Sequence, residues 1–414
     1  MKTILQHSAT AGNHATSAPV YIHACASHSA LGLTRNQIRQ RLADGFSPDM
    51  AIVSDQLNTG METVVGKACG DRPRMPARLQ AYDSGNNRLA LSVLTAIEAE
   101  VQQAIEIYGA DRVAVIAGTS TSGIADTEAA LAARQDAGDF PSSYDYRTHE
   151  AGNISAFVAK YFGTHGPAYT ISTACSSSGR VFLTARRLLR SGMADAVIVG
   201  GADSLCQLTL NGFHGLEAMS DGLCNPFSEN RKGINIGEAA AFMLLSLDRQ
   251  GATEYPVALL GAGDSSDAHH ISAPHPEGRG AEEAMRKALA DAGLSPEQIG
   301  YLNAHGTATP LNDAMEAGAI HRVFGVQVPV SSTKPLTGHT LGAASSVEAA
   351  ICWQILHEQL PLPVQVNDGI HGASLAPITL VKPGMALEQP AVMSNSFAFG
   401  GNNISLIFGY PYEK

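Results

Sequence analysis

The sequence predicts a layered α/β protein, and three observations predict it. Two short apolar runs that end in glycine, Val113-Ala114-Val115-Ile116-Ala117 and Ala196-Val197-Ile198-Val199, have the pattern of strands buried on both faces. The stretches between such runs are helical in pattern: residues 89–107 and 282–292 carry apolar residues on a 3.6-residue period with few breakers. The second half then repeats the order of the first, with buried strands over 299–304 and 328–331 and helical patterning from Leu341 to about His357. Alternation of this kind stacks sheets and helices in layers. The duplication is read from element order, since no residue-level repeat is visible.

Taken in order, residues 1–18, rich in Ser, Ala, Thr and His, read as a flexible leader, and structure is expected to begin near Val20-Tyr21-Ile22. Two similar βαβ-type halves follow, expected over 19–253 and 254–414. The 44% of hydrophobic residues, 41 glycines and only 16% of charged residues exclude disorder and coiled coil. A formal charge of -11 argues against general attraction to nucleic acid or an anionic membrane, though a local basic patch remains compatible with an acidic partner. Six cysteines, at 25, 69, 175, 206, 224 and 352, form no C-x-x-C pair, which fits a reducing cytoplasm better than a disulfide framework or a zinc cage. His23, Cys25 and His28 lie close in sequence, but no fourth ligand accompanies them, so no metal is expected. No apolar run reaches the roughly 18 residues that a membrane span needs, and no signal-peptide core is present.

The chemistry is expected around Cys175. A short strand over 167–171 leads into it and a helical pattern over 181–190 leads away, which places the thiol at a strand-to-helix turn. The helix N-terminus is expected to favour the thiolate over the ~8.5 reference pKa. Taken alone, such a cysteine is more often a small buried hydrophobe. His305 and His339 alter that balance, since both sit in glycine- and threonine-rich turns after apparent strands. A cysteine with two histidines suits acyl chemistry, in which the thiolate carries the acyl group and imidazole N–H groups steady an oxyanion.

Five ordered motifs carry a resemblance. They are Ser172-Thr173-Ala174-Cys175-Ser176-Ser177; Asn225-Pro226-Phe227 with Arg231 and Gly233; Asn303-Ala304-His305-Gly306-Thr307-Ala308-Thr309; Ser332-Thr333-Lys334 with Thr337-Gly338-His339; and Asn395-Ser396-Phe397-Ala398-Phe399-Gly400-Gly401. Together the chain after residue 18 resembles the elongating β-ketoacyl-acyl-carrier-protein synthases of fatty-acid and type II polyketide synthesis. The resemblance implies the thiolase fold, in an α-β-α-β-α arrangement of two similar halves. It implies an acyl group on Cys175, and His305 and His339 holding a malonyl thioester as carbon dioxide leaves. The backbone N–H groups of Cys175 and Phe399 would form a further oxyanion hole.

By the same resemblance Lys334 lies near the histidines and pairs with Glu316, three residues beyond Asp313, either as a participant in catalysis or as a loop-orienting ion pair. Thr307 and Thr309 match hydroxyls that bind the phosphopantetheine arm, and Phe399 matches a gating aromatic. No resident cofactor is implied, the arm being substrate. The implied partners are an acidic acyl carrier protein and a second subunit, identical or a chain-length factor. Lys67, Arg72, Arg74, Arg78 and Arg134 are the candidate carrier contacts.

Several positions depart from the common pattern. Ala398 stands where many relatives have Gly, Asn402 where they have Thr or His, and Asn225 and Lys232 where arginine and aspartate are common. The first strand, His23-Ala24-Cys25-Ala26-Ser27-His28, looks more like synthases of specialised pathways such as aryl-polyene or polyketide clusters. Two other functions stay open, a chain-length-factor-like subunit and a priming or thiolase-like acyltransferase. The first typically lacks the nucleophile that Cys175 supplies. A thiolase uses a second cysteine near its C-terminus, and no cysteine follows Cys352.

Overall fold

The computed structural model describes residues 19–249 and 256–411. The leader expected over 1–18 lies outside the described residues, and the first strand begins at Val20. In chain order the strands are β1 (Val20–His28), β2 (Met50–Val53), β3 (Thr63–Gly66), β4 (Val113–Gly118), β5 (Ala168–Ile171), β6 (Ala196–Asp203), β7 (Ile236–Gly237), β8 (Ala239–Ser246), β9 (Ala258–Ser266), β10 (Tyr301–Asn303), β11 (Pro329–Ser331), β12 (Thr379–Leu380), β13 (Ala391–Phe397) and β14 (Asn402–Gly409). The helices are α1 (Arg35–Asp44), α2 (Gly85–Leu94), α3 (Glu98–Tyr108), α4 (Ile124–Ala137), α5 (Asn153–Phe162), α6 (Ser177–Arg190), α7 (Gln207–Gly215), α8 (Arg279–Ala292), α9 (Pro310–Phe324), α10 (Lys334–Thr337) and α11 (Ala344–His357).

Eleven strands form one sheet in the order β12-β11-β10-β13-β14-β9-β1-β8-β6-β4-β5. Its centre is a narrow seam in which Val20 and Tyr21 of β1 face Leu259 and Ala258 of β9. Outward from the seam the two sides match. On one side β1-β8-β6 pair antiparallel and β6-β4-β5 parallel. On the other β9-β14-β13 pair antiparallel and β13-β10-β11 parallel. The duplication suggested by element order is therefore present in the hydrogen bonding.

The strands explain their own composition. Successive residues of a strand point to opposite faces: Ile116 joins the central core while Val115 and Ala117 join an outer one. Both faces are covered, so every residue of β4, β6 and β8 is buried. The central core holds Val181 and Phe182 of α6 and Val347 and Ile351 of α11, packed between the two halves of the sheet. One outer layer is built on Leu89, Val101 and Phe157 of α2, α3 and α5, the other on Met285 and Ile320 of α8 and α9. The result is the expected α-β-α-β-α stack. From Ala344 to Leu356, α11 has no exposed residue, the property of a helix buried on all sides.

One helix departs from expectation. The pattern over 89–107 is broken, because α2 ends at Leu94, a tight 3-10 turn spans Thr95–Ile97 and α3 starts at Glu98. The β-branched residues Val93, Thr95 and Ile97 are poor helix formers, and the Thr95 hydroxyl donates to the Ser92 carbonyl at 3.2 Å, a back-bond that bends helices.

Gly118 ends β4 directly under the first turn of α6, where a Cβ would lie 2.5 Å from the Ser178 backbone nitrogen. Backbone cannot yield as a side chain can. Gly118→Ala is therefore expected to lower stability by about 1–3 kcal/mol, read as a reduced urea midpoint at unchanged m.

Candidate active site

Cys175 sits between β5 and α6, two residues before the first helical residue. The preceding Ala174 has φ +51, a left-handed conformation that costs a non-glycine residue roughly 1–2 kcal/mol. The serine run repays this strain. The Ser177 backbone N–H and hydroxyl both donate to the Ala174 carbonyl, at 3.1 and 2.6 Å, and the Ser176 hydroxyl donates to the Thr173 carbonyl at 2.9 Å. The Thr173 N–H donates in turn to the Ser177 hydroxyl at 2.9 Å. The turn is thus over-determined, and it fixes where the thiol points.

The thiol meets the second half of the chain. His339 Nε2 lies 2.9 Å from Cys175 Sγ, and the His305 ring stands edge-on to the His339 ring with centroids 5.3 Å apart. Ligand atoms of the three side chains all fall within 4.8 Å of one another. His339 is held through its backbone: its N–H donates to the Asn235 carbonyl at 2.6 Å and its carbonyl accepts from Gly237 N–H at 3.0 Å. Gly338, at φ +70, makes this lacing possible, because a Cβ there would lie 2.7 Å from Gly237 Cα.

Burial governs the protonation of all three groups. It pushes the Cys175 thiol up to about 11, against the Lys334 charge and the backbone N–H groups of Phe399 and of Cys175 itself, which pull it down. The expectation that the helix N-terminus would make a thiolate is corrected here, since removing the thiol from water outweighs the dipole and the donors. Burial, reinforced by Lys334, also holds His305 and His339 well below the usual imidazole range, so both rings are neutral. At neutral pH the resting site is thiol beside imidazole. The two N–H groups that favour the Cys175 thiolate are those of the expected oxyanion pair.

Lys334 is buried, and its Nζ donates to Glu348 Oε1 at 2.6 Å. The expected pairing with Glu316 is corrected. Glu316 spends both oxygens on the loop that carries the histidine, accepting from His305 N–H at 2.8 Å and Gly306 N–H at 2.7 Å. Asp313, one turn earlier on α9, accepts from Phe227 N–H at 2.8 Å and Ala308 N–H at 3.1 Å. Phe227 and Ala308 have φ +61 and +63, so this carboxylate pins two strained positions. Burial raises both acids, Asp313 to about 6 and Glu316 to about 7.

Two residues of this framework were not singled out in the sequence. Glu348 is one; its signal is that it is the only acid in α11. Asp203 is the other, at the end of β6. It accepts from the hydroxyls of Thr119, Ser120 and Thr121, from the N–H groups of Ser120 and Thr121, and from Ala343 N–H at 3.0 Å. It thereby ties the loop after β4 to the start of α11.

Above the triad opens a cavity of about 260 Å³ lined by Cys175, His305 and His339, and by Thr307, Thr309 and Phe399. The Thr307 and Thr309 hydroxyls are 3.0 Å apart, and Thr309 also caps α9. Phe399 leans on Phe213 of α7 at 5.6 Å and is followed by Gly400 and Gly401, at φ +82 and +76. Lys232 lines the cavity and pairs with Asp221 at 3.2 Å. None of the five basic residues considered for carrier contact lines it. Lys67, Arg74, Arg78 and Arg134 are all exposed, Arg78 donating to the Tyr161 carbonyl at 3.1 Å and Arg134 lying over the Phe140 ring, whereas the half-buried Arg72 pairs with Glu238 at 2.5 Å. His23 and His28 each have protein partners, Ser246 for the first and Ser92 with the Cys69 carbonyl for the second.

The raised thiol has a direct signature. A folded-state pKa above the free value means less thiolate than an exposed cysteine has at the same pH, so alkylation of Cys175 by iodoacetamide is expected to keep rising through pH 10. A plateau near pH 7, followed by mass spectrometry of the labelled peptide, would contradict a burial-dominated thiol.

The chain as a whole is similar to known proteins. Residues 82–250 match the beta-ketoacyl synthase N-terminal domain and residues 257–367 the corresponding C-terminal domain. A solved ketosynthase, ApeO of Xenorhabdus doucetiae, determined in complex with its chain length factor, is 46% identical. The similarity covers 97% of this chain and 100% of that one, with a TM-score of 0.91. The 3-oxoacyl-[acyl-carrier-protein] synthase 2 of Vibrio cholerae is 39% identical over 62% of this chain and 65% of its own length. The mitochondrial 3-oxoacyl-[acyl-carrier-protein] synthase of Arabidopsis thaliana is 38% identical over 61% and 59%. The chain thus spans about three-fifths of the length of these curated relatives. A cysteine at a strained strand-to-helix turn, two buried histidines from the opposite half, and both family domains in sequence order lead to one assignment: the chain belongs to the β-ketoacyl synthase family.

Proposed function

We propose that this chain elongates acyl chains by decarboxylative condensation, joining malonyl-acyl-carrier protein to an acyl group held on Cys175. The observation that carries this reading is the meeting of a nucleophile, a neutral imidazole 2.9 Å away and two convergent backbone N–H groups in one dry site. In the first half-reaction Cys175 attacks the acyl thioester of a carrier protein and its proton passes to His339. The tetrahedral oxyanion rests on the N–H groups of Cys175 and Phe399, and the carrier's phosphopantetheine thiol leaves with the proton. In the second, malonyl thioester enters along Thr307 and Thr309. The C–C bond to its carboxylate breaks, carbon dioxide departs, and the enolate oxygen is held by His305 and His339. The carbanion then forms its bond to the acyl carbon, and the Cys175 thiolate leaves. Lys334 acts through its field on the triad, with Glu348 keeping the buried charge paired.

The carrier's phosphopantetheine arm is substrate in this scheme. A second subunit, either an identical chain or a chain-length factor, would complete the assembly. Among the described residues the outer edge of β5 is unpaired, with Ala168 and Tyr169 exposed, and this supports such pairing because an open strand edge is a template for another chain. Lys67 and Arg74 remain candidate carrier contacts. No helix of the described residues is long and apolar enough to cross a membrane, and a cytoplasmic setting suits the six free thiols.

Decarboxylation and condensation should separate. Cys175→Gln, whose amide imitates an acyl thioester, is expected to keep or raise carbon dioxide release from malonyl-carrier protein while condensation disappears. His339→Ala should still accept acyl label, more slowly, but lose decarboxylation by about 10²-fold or more, as when an oxyanion donor is removed. Labelled carbon dioxide release, measured beside acyl labelling, checks both. Decarboxylation by His339→Ala at the parental rate would rule out the elongating scheme.

A further inference from the structure

We infer that the unacylated triad is also a binding site for a zinc-like divalent cation, held by Cys175 Sγ and one nitrogen each of His305 and His339, with the fourth position open to the cavity. The binding rests on the triad's geometry, and its effect on turnover rests on the condensation scheme proposed above. One sulfur and two imidazole nitrogens within 4.8 Å of one another form the donor set, and all three residues are buried. Tetrahedral zinc, with bonds of about 2.3 Å to sulfur and 2.0–2.1 Å to nitrogen, needs sulfur–nitrogen separations of about 3.6 Å and a nitrogen–nitrogen separation of about 3.3 Å. The 2.9 Å contact between Sγ and Nε2 must therefore open by roughly 0.7 Å, a movement within side-chain reach.

The electrostatics permit it. An imidazole offers a lone pair to a metal in its neutral form. The adjacent Lys334 charge is matched by Glu348 at 2.6 Å, so the incoming cation does not face a bare ammonium. Binding exchanges a proton: the Cys175 S–H bond breaks, a sulfur–metal bond forms, and the proton goes to buffer. Among the described residues, no protein atom accepts from or donates to His305 Nδ1 or His339 Nδ1, whereas a resident metal site usually has a carboxylate or carbonyl orienting each ring. The cation is therefore a reversible occupant. It competes with the acyl group for the same sulfur, which makes it a brake on the free enzyme and not on the acyl-enzyme.

The test uses the full chain without any substrate, so its outcome is independent of condensation. Titration with Co²⁺ is expected to give one equivalent with a thiolate-to-cobalt charge-transfer band and the intense visible bands of four-coordinate cobalt. Cys175→Ala should lose the charge-transfer band, and His305→Ala should weaken binding by at least about tenfold. In the unmodified protein, Zn²⁺ should slow iodoacetamide labelling of Cys175 by at least about tenfold, reversibly with EDTA, while the other five cysteines serve as controls. A cobalt spectrum unchanged by Cys175→Ala, or labelling of Cys175 that Zn²⁺ leaves untouched, overturns the assignment.

Discussion

The close contact of two buried helices is the constraint on which the rest depends. α6 and α11 lie against each other between the two halves of the sheet, and at Gly179 a Cβ would come within 2.8 Å of the Ser345 hydroxyl. Ser345 then reaches Ser396 at 2.7 Å, and the Ser178 hydroxyl accepts from Ser346 N–H at 3.0 Å. These bonds satisfy polar groups that burial would otherwise penalise by about 1–3 kcal/mol each. They also set the reaction geometry. Cys175 comes just before α6 and His339 just before α11, so the spacing of the two helices is the spacing of nucleophile and imidazole.

Desolvation is the second theme. Triad, lysine and three supporting acids are all withdrawn from water, and the triad and the acids shift in the direction that burial dictates: thiol and carboxylic acids up, imidazoles down. A site of this kind holds little net charge at rest. Charge that develops during reaction then meets fixed dipoles and donors at low dielectric, where they act more strongly than in water. The carboxylates of Asp313 and Glu316 contribute differently. They spend their acceptor capacity on backbone N–H groups of strained or tightly turned loops, converting buried acids into braces for the histidine loop.

The two halves use corresponding places in unlike ways. The turn after β5 carries Cys175, and the turn after β11 carries Lys334 and His339. The loop after β4 carries a cluster of hydroxyls gathered around Asp203, whereas the loop after β10 carries His305. The two halves thus share paired strand ends, with Cys175 on one half and His305, Lys334 and His339 on the other. Neither half is sufficient, because the 2.9 Å contact spans them.

By itself the sequence determined the layered class, the duplication and which three side chains meet between the halves, because each leaves a local mark. A strand buried on both faces must be continuously apolar, as in Val113-Ala114-Val115-Ile116, and a strained turn needs the small residues and hydroxyls around Cys175. The break between α2 and α3 was hidden, since an apolar period persists through a 3-10 turn. Tertiary structure alone decided which acid meets Lys334, that the thiol stays protonated, and that Asp203 is a hub. Partner choice among buried charges depends on which helix arrives in space: Glu348 of α11 lies 2.6 Å from Lys334, whereas Glu316 of α9 is bonded to the His305 loop. Desolvation, too, belongs to the assembled molecule: no spacing in the chain records how much water is excluded once both halves have closed around the thiol.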